Sequence, residues 1–83
     1  MQLIYFASIR EQIGLSEEEY DLPSGVHTVE ALLDDLRARG PNYASALLAD
    51  IKLKVAVNQQ HAKLNTSVKD QDEVAIFPPV TGG

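Results

Sequence analysis

One helix in this chain can be read residue by residue, and it limits what the remainder can form. In "HTVEALLDDLRARG", Val29, Leu32, Leu33 and Leu36 recur at i, i+3, i+4 and i+7 and gather into one apolar stripe. Thr28 offers an N-cap oxygen, and Glu30 places an acid in the first turn, where the helix dipole favours it. Arg37 and Arg39 suit the last turn, Gly40 is expected as the C′ residue, and Pro41 is expected to prevent continuation. Such a stripe has to be buried against something. The chain has 83 residues, room for a single small core, and short segments of period two flank the helix. The partner layer is therefore expected to be a sheet.

The strands can be read from the same alternation. "QLIYFA" sends Leu3 and Tyr5 to one face and Ile4 and Phe6 to the other. "SIREQIGL" is read as a turn, with Gly14 at positive φ. "EEEYDL" follows as a second strand; Tyr20 and Leu22 are available to the core, and Glu17, Glu18 and Glu19 form a solvated edge. After the helix, "YASALLAD" suggests a short second helix. "KLKVAVN" is a strand with Leu53, Val55 and Val57 inward and Lys52 and Lys54 outward. A brief strand lies around His61 and Ala62, "KDQD" turns the chain, and "EVAIF" is the last strand, ended by Pro78. The order β-β-α-β-(β)-β predicts an α+β fold: a mixed sheet with one main helix packed across one face, best matched by the β-grasp, or ubiquitin-like, roll. Residues 1–77 form the domain and residues 78–83 an extended tail.

Composition removes several function classes. With no cysteine there is no disulfide, thiolate metal site or thiol nucleophile. His27 and His61 stand apart with no acidic cluster at ligand spacing, so no metal is expected. A net charge of −5 would repel a phosphate backbone, and no basic stripe offsets it; nucleic acid is not an expected partner. No apolar run is long enough to span a membrane, the N-terminal segment does not read as a signal peptide, and a reducing cytoplasm is the expected compartment.

Two features remain after the core is assigned. Strand parity places Ile4, Phe6, Ala56, Ala75 and Phe77 on the side away from the helix, a group too apolar for an idle surface. Either loops cover it or a partner does. The second feature is "FPPVTGG". Pro78 and Pro79 hold φ near about −65° and favour an extended path, so the tail can reach about 20 Å. Gly82 and Gly83 lack Cβ and can enter a channel closed to other residues. Either the end is a frayed terminus, or its carboxylate is the functional group, open to activation by ATP. The chain has no phosphate-cradling loop of its own, so an activating enzyme would be a separate protein.

"YFASIREQIG", "TVEALLDDL", "AVNQ" and "DEVAIFPPVTGG" together resemble the small-subunit family of molybdopterin synthases, ubiquitin-like sulfur carriers, over nearly the whole chain. The resemblance implies that Gly83 is adenylated by a ubiquitin-activating-like adenylyltransferase that consumes ATP, and is then converted to a thiocarboxylate. That group supplies sulfur to cyclic pyranopterin monophosphate, and two deliveries build the molybdopterin dithiolene. Pro78, Pro79, Val80, Thr81 and Gly82 would thread a channel in the large synthase subunit, within a heterotetramer of two small and two large subunits. Phe6 and Phe77 match family interface positions, with Ile4 and Ala75 on the same face and His61 at its rim. Arg10 matches a family arginine; it either contacts the partner or pairs with a nearby acid. The chain would bind no cofactor itself and would not be catalytic alone. A terminal Gly-Gly also suits a ubiquitin-like protein modifier, or a sulfur carrier for thiamine or tRNA thiolation.

Overall fold

In the computed structural model, residues 1–48 and 52–79 are described. The first strand, β1 (Gln2–Tyr5), runs parallel to the last, β5 (Glu73–Phe77), with Leu3 opposite Val74 and Tyr5 opposite Ile76. The other pairings are antiparallel. β2 (Glu17–Glu19) lies outside β1, β3 (Lys54–Val57) pairs with the other side of β5, and β4 (Gln60–Ala62) closes that edge. The sheet order is β2-β1-β5-β3-β4, a mixed sheet of the β-grasp type.

Across one face lies the expected helix, α2 (Val29–Arg37), in a chain that also forms α1 (Ala7–Ile13) and α3 (Pro41–Ala46). Val29, Leu32, Leu33 and Leu36 are all buried, and Thr28 caps the helix by accepting from the Ala31 N–H at 3.2 Å. They pack in one cluster with Leu3, Tyr5, Val55, Val74 and Ile76 from the strands. Each such side chain, fully buried, stabilises the fold by about 1.5–3 kcal/mol before entropy is counted.

Three expectations need correction. The segment read as a turn after β1 is helix α1. Its Ile9 and Ile13, one helical turn apart, are both buried. Gly14 does take φ 90, but as the left-handed cap of α1, its N–H donating to the Arg10 carbonyl. Secondly, Gly40 does not cap α2. That helix ends at Arg37 with Ala38 in right-handed geometry, whereas Gly40 is extended (φ 167) and precedes α3, with Pro41 in its first turn. Proline starts that helix because the N–H it lacks would have had no partner there. Arg39, expected to serve the dipole of α2, instead lies over the Tyr20 ring, 4.3 Å from its centroid.

Thirdly, the acidic strand is solvated only on alternate residues. Glu17 and Glu19 are exposed along the sheet edge, but Glu18 lies opposite Leu3 and faces inward. Its Oε2 accepts from the Tyr5 hydroxyl at 2.6 Å and from the Tyr43 hydroxyl at 2.8 Å. One carboxylate thus joins β2, β1 and α3. Tyr20 donates in the same manner to Asp35 of α2. No helix among the described residues is long and apolar enough to cross a membrane.

Burial, then the Glu18 hydrogen bond, raises the Tyr5 phenol well above its ordinary value; Tyr43 is raised by the same causes in the same order. Burial followed by the Asp35 bond raises Tyr20. The unfolded chain releases these protons near pH 10 while the folded chain retains them, so stability should be level below about pH 10 and fall as pH rises beyond it. Urea midpoints measured from pH 8 upward should show this loss, with a shallower slope in Tyr5→Phe. An identical slope would exclude Tyr5 as a contributor.

Candidate functional site

Period-two alternation divides β1 and β5 between two environments. Leu3, Tyr5, Val74 and Ile76 are fully buried beneath α2, while Ile4, Ala75 and Phe77 are half-buried and Phe6 is 38% exposed on the opposite side. The parallel register continues by one step, and Phe6 stacks on Phe77 with centroids 4.4 Å apart and planes 10° from parallel. Beyond Phe6 the chain turns away at Ala7, whose φ of 51 is uncommon for a residue with a side chain. That turn leaves the Phe6 ring at the margin of the sheet.

These residues line one open depression of about 420 Å³, together with Ala56, Gln59, His61 and Glu73. Five of the six proposed contact residues, Ile4, Phe6, Phe77, Ala75 and His61, are thereby brought together. His61 is exposed on β4, opposite Ala56. Arg10 does not line the depression. It lies on α1 with its side chain exposed and its N–H bonded to the Phe6 carbonyl, and it forms no ion pair among the described residues. Pro78 and Pro79 follow Phe77 and are half-buried. Val80, Thr81, Gly82 and Gly83 lie outside the described residues.

Sequence reasoning passed over Gln59 and Glu73. The β3–β4 hairpin turns on Asn58 and Gln59, both at positive φ (51 and 68). Asn58 fastens that turn to β5: its N–H donates to the Glu73 carbonyl at 2.8 Å and its Oδ1 accepts from the Glu73 N–H at 3.0 Å. Its Nδ2 donates to Asp72 at 3.1 Å. Parity along "EVAIF" was the available signal, since Glu73 shares a face with Ala75 and Phe77.

The face presents aromatic and small apolar groups, and among the described residues no three His, Asp or Glu side chains gather as metal ligands. A hollow of about 460 Å³ on the helix side is slightly larger, lined by Leu33, Leu53, Leu64 and charges of both signs. Its Arg37 is already bonded to Asp34 and to the Leu47 carbonyl.

A model of the ThiS family matches residues 3–83. The chain is 42% identical over 85 residues to the molybdopterin synthase sulfur carrier subunit of Escherichia coli, covering 100% of this chain and 99% of that one. Its counterpart in Haemophilus influenzae is 41% identical over 83 residues with the same coverage. Among solved structures, SAMP1 from Haloferax volcanii is similar with a TM-score of 0.80 and 32% identity, over 100% of this chain and 98% of that one.

The two faces should respond differently to truncation. Ile76→Ala opens a cavity in the core and should cost about 2–5 kcal/mol in urea unfolding. Phe77→Ala, one residue on, loses mainly its stack with Phe6 and should cost about 1 kcal/mol. Equal losses would place Phe77 in the core.

Proposed function

The chain belongs to the ThiS family, and we propose on that footing that it is the sulfur-carrier subunit of a molybdopterin synthase. Full-length likeness to curated sulfur carrier subunits carries this reading. The Gly83 carboxylate attacks the α-phosphorus of ATP in a separate ubiquitin-activating-like adenylyltransferase, and pyrophosphate leaves. Sulfide-level sulfur from a donor then attacks the acyl carbon, AMP leaves, and Gly83 carries a thiocarboxylate. The large synthase subunit receives the loaded tail, its sulfur bonds to cyclic pyranopterin monophosphate, and water cleaves the acyl–sulfur bond to return the Gly83 carboxylate. A second loaded chain completes the dithiolene. Two small and two large subunits make up the assembly.

Each part of the chain has a task in this scheme. The open face around Phe6 and Phe77 supplies the docking energy. Pro78 and Pro79 direct the tail, Val80 and Thr81 occupy the channel, and Gly82 passes its narrowest part. The chain itself holds no cofactor. A second reading, a tag joined to lysines of other proteins, draws on the likeness to SAMP1, called small archaeal modifier protein 1 in another solved structure. Intact mass of the chain recovered from its own cells separates the two. Exchange of one oxygen for sulfur marks the carrier, and adducts of protein mass mark the tag.

Adding one residue after Gly83, or deleting Gly83, should abolish molybdoenzyme activity in cells lacking the wild-type chain, with the melting temperature unchanged. Restored activity from an extended chain whose intact mass shows no trimming would refute the carboxylate mechanism. Gly82→Ala should bind the large subunit normally yet deliver sulfur slowly, because a methyl group at this position meets the channel wall. Chemically prepared thiocarboxylate bypasses adenylation, and single-turnover conversion of the pterin precursor reads the delivery step alone. Wild-type rates in that assay would restrict the glycine requirement to the activating enzyme.

A further inference from the structure

The open face carries charge at both ends, and the signs differ. At the tail end, Lys54 of β3 is the cross-strand partner of Phe77. Its neighbour Val55 is buried opposite Ile76, so Lys54 lies on the open side with Phe77. At the other end of β5, Glu73 lines the depression, half-buried. Neither forms an ion pair among the described residues. Four strand steps separate their levels, about 13 Å. Between them the centre of the face is apolar, built from Ile4, Ala56 and Ala75, with His61 at its β4 rim. Along the β2 edge Glu17 stands beside Ile4 and Glu19 beside Gln2, so the acidic side chains lie away from the tail end.

We propose that Lys54 and Glu73 set the direction in which this face docks. The large synthase subunit meets it with an acidic side chain opposite Lys54, beside the apolar seat for Phe6 and Phe77, and a basic one opposite Glu73 at the far end. The inference rests on the proposed function, in which a partner subunit covers this face. Apolar burial is non-directional, so beyond the shape of the ring pair at one end the apolar contact separates the two orientations weakly. The tail tolerates only one, because it leaves from the Phe77 end alone. Opposed charges add direction, since reversed docking sets like charges together. The net charge of −5 draws the chain to any basic surface without orienting it. A cation beside the origin of the tail marks by charge the same end that the ring pair marks by shape.

The double reversal Lys54→Glu with Glu73→Lys keeps the net charge and so isolates position. Association with the large subunit, followed at low salt, should slow on the order of tenfold and converge with wild type near about 0.5 M salt. Sulfur delivery from the thiocarboxylate form should fall with it, while the melting temperature holds. The matched exchange Glu30→Lys with Lys52→Glu, on the helix-side hollow, should leave the rate at the wild-type value. Wild-type association in the Lys54/Glu73 reversal would overturn the inference and leave the sulfur-carrier reading intact. A wild-type chain that did not bind the large subunit at all would overturn both. Should the reversal fail to fold, Lys54→Gln with Glu73→Gln takes its place: a smaller slowing supports the proposal, and none refutes it.

Discussion

The parallel ladder between β1 and β5 is the contact on which everything else in this structure depends. It places the beginning and the end of the described chain side by side at the centre of the sheet, with Gln2 against Glu73 and Tyr5 against Ile76. Because side chains alternate with a period of two, one register decides both faces at once. It sends Leu3, Tyr5, Val74 and Ile76 under α2, and it leaves Ile4, Phe6, Ala75 and Phe77 on the open side. A slip of one residue would exchange the core for the docking surface. The stack of Phe6 on Phe77 is the visible result of that register, since neither ring alone would form an anchor of this breadth.

Stability and recognition are therefore drawn from separate residues on the same strands. The helix side holds the fully buried aliphatics and the phenols that reach Glu18 and Asp35. Those polar bonds tie the edge strand and α3 to the core, where an unpaired hydroxyl or carboxylate would cost about 1–3 kcal/mol. The open side gives up burial: Phe6 remains 38% exposed, and Ala56 and Ala75 are too small to add much area. Their smallness has a use, because low side chains beside a stacked pair of rings make a depression that a partner can fill. A face so built contributes little to folding and can be altered for recognition without much loss of stability.

How far the sequence disclosed this depends on how local each cause is. The α2 stripe and Thr28 cap are contained within one helix, and the two sheet faces follow from parity within single strands; all were legible. Helix α1 was not, although Ile9 and Ile13 carry its signal. Seven residues give a weak periodic pattern, Phe6 offers no capping side chain, and the chain enters the helix through positive φ at Ala7. Gly40-Pro41 is ambiguous by nature, since the same pair can end one helix or begin another, and only the packing of α3 decides. Glu18 looked like its neighbours because its two partners, Tyr5 and Tyr43, are distant in sequence. At the site, the apolar members were evident from parity. Parity also places Glu73 on their face, but a charged strand end reads as an ordinary solvated residue until the Asn58 hairpin is packed beside it.

In the proposed scheme the chemistry takes place at Gly83, while the surface that would position it lies on the folded domain. The two glycines that close the tail offer a partner almost no side-chain surface, so in that scheme they supply little affinity for a channel. The open face can supply it, and Phe77 belongs to that face while also being the residue from which the tail departs. Once the face is docked, insertion of the tail becomes intramolecular, and its probability depends on the length and stiffness of the connection. Pro78 and Pro79 stand at that connection and restrict the paths the tail would otherwise explore, which lowers the entropy lost on threading. Placing two prolines directly after the anchor, and the glycines only at the far end, puts stiffness where direction is set and slenderness where the channel closes. On the proposed function, the docking energy of the face is in this way converted into the position of one carboxylate.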